Sequence, residues 1–417
     1  MTVARARTDS GLRHGRAALA LSFFVQGAVF ALLVTRIPAI QDRYRVSDAL
    51  LPAFLAAVPV LAGVGSVAAE PLVRRFGAGP VLRGVQPVVG LALAAAGAGR
   101  SVGQLVVALA VFGLAVGALD ASMNMLGVSL QRAYGRSIML GFHAAYSLGG
   151  IAGASAAWAG AHQDLPLPAL YTPLVAVLVP AALLAGRWFP GAGHPPDQAD
   201  RPDQADRRMP GPPPRAAGRV PLKPLLPLCL VMTCAYIGDS TVSNWSAKYL
   251  EDVLHGSEQL ATVPFNVYMA TTLVGRCFGD RAVRRFGAVA VVRCGALLAA
   301  AGFAVVAAAP GPWVGLGGFT LLGLGLSVIV PATFAAAGRL FPGASDSAVA
   351  RLNVFNYVGF LIGSPLVGAV GGGWDYRGAM LLPMVLVLAT LLHVRSFSAE
   401  SDRYGDGHER PRTVDVG

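Results

Sequence analysis

Ionisable and amide side chains set inside long apolar runs are the residues of this 417-residue sequence whose types and spacing could do chemistry. Asp120 stands in "GALDASMNM", with Asn124 one turn further along the same helical face. His143 stands in "GFHAAYSLGG", and Asp239 follows Tyr236 in "AYIGDSTVSNWS". Asn353, Asn356 and Tyr357 form a polar turn in "LNVFNY". An ionisable group at membrane depth is costly, and it marks a pathway, a relay or a gate. Burial disfavours the charged form of a carboxyl group, and an imidazole titrates near neutrality. Asp120, His143 and Asp239 are therefore the candidates for carrying a proton. The plainer roles are pairing of Asp120 with Arg132 or Arg136 at the membrane edge, and hydrogen bonding of His143 within helix packing.

Enzyme chemistry finds little footing. No His-Glu-x-x-His pair, no Walker loop and no nucleophile-base constellation stands in the sequence. Neither a metal nor a cofactor is expected, and the chain is read as not an enzyme.

The elements that must position these residues follow from composition. Apolar residues make up 54% of the chain and charged residues 13%, the balance of a membrane protein. The apolar runs are close to the roughly 20 residues needed to cross about 30 Å of hydrocarbon. Lipid offers backbone groups no partner, and the alternation of barrel strands is missing, so each crossing is a helix. The expected fold is an all-α membrane protein with twelve transmembrane helices, over 17–36, 49–71, 80–99, 103–128, 138–161, 169–188, 223–246, 259–279, 288–309, 313–336, 348–370 and 377–395. The apolar run Ala17 to Val34 continues without a small-residue cleavage site and is read as the first crossing rather than a leader.

The net charge of +11 is an orientation signal. With the amino terminus inside, all but six of the 33 Lys and Arg residues face the cytoplasm, the exceptions being Arg36, Arg43, Arg45, Arg100, Lys248 and Arg377. That places both termini in the cytoplasm and implies affinity for anionic inner-leaflet lipid, with no nucleic-acid partner. Cys229, Cys234, Cys277 and Cys294 fall inside expected helices as small packing residues.

The word "VRRFGA" occurs at 73–78 and again at 283–288. Shifting the chain by 210 residues also superposes Gly65 on Gly275, Gly113 on Gly323, Gly149 on Gly359, Gly153 on Gly363 and His143 on Asn353. The chain is thus two six-helix halves entering from the same side, which makes them parallel repeats. The expected organisation is a cytoplasmic tail over 1–16, bundles over 17–188 and 223–396, a disordered cytoplasmic linker over 189–222 with the tandem "PDQADR", and a cytoplasmic tail over 397–417.

Twelve helices as six plus six, with a basic "R-F-G" turn after the second helix of each half, resemble the major facilitator superfamily. The turns "EPLVRRFGAGPVLR" and "DRAVRRFGAVAVVR" resemble its loop motif, commonly written G-x-L-a-D-R-x-G-R-R. Arg75, Gly77, Arg285 and Gly287 fit, while Arg74 and Arg284 stand where the acid usually is. Glu70 and Asp280, one turn earlier, are available as substitutes. "TRIPAI", "YGRSIMLGFHAAYSLGG" and "NWSAKYL" resemble the fucose permease-like branch, where an acid in helix four serves proton coupling.

The resemblance implies a cavity lined by helices one, four, seven and ten, hence Phe23, Gln26, Phe30, Asn124, Tyr236, Asp239, Thr320 and Ser327, joined through the internal symmetry by Asn353, Asn356 and Tyr357. It implies a gate from Glu70, Arg74, Arg75, Gly77, Arg276, Asp280, Arg284, Arg285 and Gly287, with Arg276 and Asp280 paired at i and i+4. The expected function is alternating-access transport of a small organic solute across the cytoplasmic membrane by a monomer, coupled to protons. Export is favoured marginally because the expected cavity is apolar. Proton-coupled import of a sugar or similar polar nutrient is the alternative, and a non-transporting receptor or scaffold on this fold is the alternative from another class.

Overall fold

A computed structural model of the chain describes residues 2–47, 50–189, 220–257, 260, 263–373 and 375–398. The tandem "PDQADR", most of the expected linker and nearly all of the final tail lie outside these residues. Among the described residues, twelve membrane-crossing helices account for the fold. In the first half they are α1 (Thr2–Thr35), α2 (Leu51–Phe76), α3 (Ala78–Ala98), α4 (Val102–Tyr134), α5 (Met139–His162) and α6 (Leu167–Ala185). In the second half they are α7 (Leu222–Lys248), α8 (263–286), α9 (288–308), α10 (Pro312–Leu340), α11 (Ser345–Gly373) and α12 (Tyr376–Phe397).

Length and hydropathy alone single out ten spans. Two physical features separate ten from twelve. Residues 263–308 run as one helical stretch broken only at Gly287, where φ is 80°. The second missing span is α5, whose Gly, Ser and His content dilutes its hydropathy although its length suffices. Gly77 has φ 86°, so the two "VRRFGA" words adopt one backbone turn. At Gly287 an added Cβ would meet open space, so glycine is required there for its left-handed φ and not for room. Arg75 lies over Phe76 and Arg285 over Phe286 in matching cation-π contacts, at 5.1 and 5.4 Å.

The glycines that superpose under the 210-residue shift are the crossing points of helices. Within the first half, a Cβ on Gly149 would stand 1.9 Å from the Phe24 carbonyl oxygen, where α5 crosses α1. A Cβ on Gly65 would stand 2.0 Å from the Leu114 carbonyl oxygen, where α2 crosses α4. Gly359 meets Thr233 and Gly323 meets Tyr268 at the corresponding crossings, α11 on α7 and α10 on α8. Without a hydrophobic drive inside lipid, backbone-to-backbone approach of this kind supplies the packing energy. Because the obstacle at Gly149 is main chain, no rotamer change relieves it. We expect Gly149→Ala to destabilise the folded protein by about 1–3 kcal/mol, the usual cost of overpacking. Thermal melting in detergent checks this against Gly63→Ala, whose Cβ has nothing within 4 Å; equal melting of the two variants would refute it.

Candidate functional site

Asp120 sits on α4 and projects to the seam between the two halves. Its Oδ1 accepts from Asn124 Nδ2 at 3.2 Å. Its Oδ2 accepts from Asn356 Nδ2 and from the Tyr357 hydroxyl, each at 3.1 Å. Gln26 of α1 lies near the same carboxylate. The web continues through the amides: Asn356 Nδ2 also donates to Asn353 Oδ1 at 3.0 Å, and Asn353 Nδ2 donates to Ser66 Oγ at 2.8 Å. Ser66 closes it by donating to the Gly117 carbonyl at 3.1 Å. One acid on α4 is thereby tied to α11 of the other half, and α11 to α2. Asn124 and Asn356 each leave Oδ1 buried without a donor. Those two oxygens belong to the very amides that surround Asp120, and such an oxygen can accept from a carboxyl O–H.

A second acid lies on α7. Asp239 Oδ1 accepts from the Tyr268 hydroxyl of α8 at 2.5 Å. Arg276, two turns below Tyr268 on α8, reaches across the seam: its Nη1 donates to Ser147 Oγ at 2.5 Å and to the His143 carbonyl at 3.4 Å. Tyr146 stands on α5 next to Ser147, and Tyr236 of α7 packs against Gly359 of α11. The seam between the halves at mid-depth, the polar chamber of the molecule, therefore gathers phenols, amides and three ionisable groups contributed by both halves.

The face carrying both chain termini is closed beneath this chamber. Among the described residues, every hydrogen bond between the halves runs from mid-depth to that face. The helix N-terminus of α5 shows why the acid of the second turn sits where it does. Ile138 occupies its cap position and offers no side-chain acceptor. Gln131 Oε1 takes the Ile138 and Met139 amides, and Asp280 of the opposite half takes the next two, Leu140 N at 3.2 Å and Gly141 N at 2.8 Å. Asp280 also accepts from Ser137 Oγ at 2.6 Å, and Arg284 donates to the Ser137 carbonyl at 2.8 Å. A carboxylate on free helix-terminal amides is a favourable partner for the helix dipole. Arg132 adds a bond to the Gly338 carbonyl of α10 at 3.0 Å.

Several residues stand elsewhere than the sequence suggested. Asp120 bonds to neither Arg132 nor Arg136. Arg276 and Asp280 do not pair; each reaches α5 of the other half, at different depths. Glu70, the counterpart of Asp280, makes no hydrogen bond or ion pair among the described residues. The reason lies in α11, which brings an acid of its own, Asp346, in its first turn, whereas α5 has none. His143 is removed from the Asp120 web: it is buried between Phe23 at 5.3 Å and Phe334 at 6.1 Å between ring centroids. Phe23 is itself packed on Phe142 and is not a wall of the chamber. Ser327 is buried against Gly275 and donates to the Leu324 carbonyl, and Thr320 donates to the Leu316 carbonyl of its own helix. Phe30 is half-buried against the core. Ser147, Tyr146 and Tyr268 belong to the chamber and were not singled out from sequence. The shift by 210 residues carried a usable hint, because it places Ser147 on Tyr357 and Tyr146 on Asn356.

Comparison with known proteins bears on this arrangement. The family model described as Major Facilitator Superfamily matches residues 228–412. An uncharacterized MFS-type transporter of Yersinia pestis is 29% identical over 84% of this chain and 87% of its own length. Membrane protein MosC of Rhizobium meliloti is 25% identical over 97% of this chain and 94% of its own length. Among solved structures, FucP in the outward conformation superposes with a TM-score of 0.76 at 16% identity, covering 92% of this chain and 98% of that one. The proton:xylose symporter XylE superposes with a TM-score of 0.73 at 13% identity, covering 94% and 96%. At such identities these two likenesses establish the fold.

Proposed function

We propose that this chain, whose residues 228–412 match the Major Facilitator Superfamily model, is a member of that superfamily and a secondary active transporter that moves a small organic solute by alternating access and couples that movement to protons. The observation that carries the coupling is the Asp120 web. A carboxylate bonded simultaneously to its own half and to α11 of the other is placed so that gaining a proton changes the contact between the halves. Asp120 is the proton carrier in this reading and Asp239 the second titratable group of the chamber. Asn124, Asn356, Tyr357 and Tyr236 hold or line the site, and Asp280 with Arg284 secures the closed face. The face bearing the termini is the cytoplasmic one and the membrane is the inner cell membrane, as the distribution of Lys and Arg supports.

Uptake is the direction that the geometry supports. Export drew its argument from an apolar cavity, and Phe23 is packed on Phe142 while amides, phenols and ionisable groups gather at the seam between the halves. FucP and XylE, whose folds this chain shares, are described as proton symporters. The test is flux in proteoliposomes containing the full chain. With one proton per solute, a pH difference of about 1 unit drives about tenfold accumulation. Accumulation that persists after the gradient is collapsed would remove proton coupling, and failure of every solute in a broad screen to move would remove transport.

A further inference from the structure

Among the described residues, the chamber holds one guanidinium, Arg276, with no carboxylate at ion-pair distance. A guanidinium cannot be deprotonated at any ordinary pH, and it presents a planar fork of donors suited to a carboxylate or phosphate. Arg276 offers that fork at membrane depth. Its only hydrogen-bond acceptors among the described residues are neutral oxygens, Ser147 Oγ and the His143 carbonyl. Its Nε is buried without any acceptor. Lys248 pairs instead with Asp252, exposed at a helix end.

The nearby acids are all committed elsewhere. Asp280, one turn along α8, is held by the amides of α5. Asp239 feels the charge of Arg276 but stands outside ion-pair distance and accepts from Tyr268. Asp120 is surrounded by neutral amide and phenol donors. An unpaired charge at membrane depth is costly, and an ionisable residue held there marks a substrate or ion pathway by default. Neutral hydroxyls, as on an unsubstituted sugar, cannot offset it.

We infer that the transported solute carries an anionic group, a carboxylate foremost, which docks on the Arg276 fork between α5 and α8. Tyr146, next to the Ser147 that accepts from Arg276, offers a phenol to hydroxyl or ring groups on the rest of the molecule. The inference rests on the transport reading above and narrows its substrate class. The proton then acquires a definite role, since protonation of Asp120 or Asp239 offsets the negative charge that the solute brings into a chamber already holding two carboxyl groups.

The test uses the purified full-length chain and pairs of probes that differ only in charge: gluconate with glucose, benzoate with benzamide, and a wider set of organic acids with their amides. Thermal stabilisation in detergent is read first, then proton-driven flux of whatever binds. At least one acid should stabilise the wild-type protein where its neutral partner does not. Arg276→Gln should weaken that acid roughly 10- to 100-fold, the worth of a charge-assisted hydrogen bond, and Arg276→Lys should keep the preference for acid over amide at reduced affinity. Melting of each variant without ligand shows that it is folded, and Arg276→Lys decides the matter should Arg276→Gln not fold. Stabilisation by neutral or cationic members alone, or by none, overturns the inference, as does an acid that binds Arg276→Gln unchanged. Proton-driven flux of a neutral solute through Arg276→Gln would leave the transporter standing and remove only the anion.

Discussion

Asp120→Asn is expected to abolish solute accumulation driven by a proton gradient while leaving solute exchange across the same membrane intact. The substitution keeps the size of the side chain and most of its hydrogen bonds, since an amide can still accept from Asn356 or Tyr357 through its oxygen. What it removes is the ability to take and release a proton. Accumulation of about tenfold at a pH difference of about 1 unit should fall to the level of simple equilibration. Exchange requires only that the loaded carrier reorient, so its rate should change little. Accumulation retained by Asp120→Asn would move the coupling role to Asp239, and combined loss of exchange and accumulation would mean that the web is structural. Comparing the two fluxes in one preparation separates these outcomes.

The second large effect is conformational. Gly338 of α10 lies against α4 at the closed face, and a Cβ there would stand 2.1 Å from Val128 Cγ1. Valine is stiff at its first torsion and cannot swing clear. Gly338→Leu should therefore penalise the closed arrangement of that face by about 1–3 kcal/mol. A penalty of that size shifts the balance toward the opposite arrangement by about 5- to 150-fold. Distances between spin labels at the termini-face ends of α4 and α10 should lengthen, and uptake should slow because the closed state is harder to regain. A folded Gly338→Leu protein with an unchanged distance distribution would contradict this account. The crossing of α2 and α4 at Gly117 is also tight, but it lies inside one half, which moves as a unit, so crowding it should not shift this balance.

The legible parts of this fold were those written at short range or twice. Helical spacing put Asn124 on the face of Asp120, and the bond between them is present. Internal repetition marked Gly65, Gly113, Gly149 and Gly153 before their role as crossing points was visible. What could not be read was which faces meet. Asn356 and Tyr357 reach Asp120 across more than half the chain, and no local pattern encodes that. The same limit misplaced Arg276: spacing brought it beside Asp280 on one helix face, but attraction between residues four apart on a helix is worth only a few tenths of a kcal/mol. The open amides of α5 hold Asp280 more firmly. His143 sits opposite a polar residue in the internal alignment, yet its aromatic neighbours come from α1 and α10 and decide its surroundings.

The unequal use of the two repeated turns has a mechanical consequence. Asp280 fastens α8 to α5, while Glu70 leaves α2 and α11 without a matching fastening at the same level. On that side the tie is the bond from Asn353 to Ser66, nearer mid-depth. A force parting the termini face therefore meets a carboxylate fastening along one edge and helix packing tied only nearer mid-depth along the other, like a door with its bolt on one side and its pivot set deeper on the other. Opening should be a swing with a lateral bias, so the first gap at that face forms between α5 and α8 once the bolt is drawn, and a solute released there would leave off-centre.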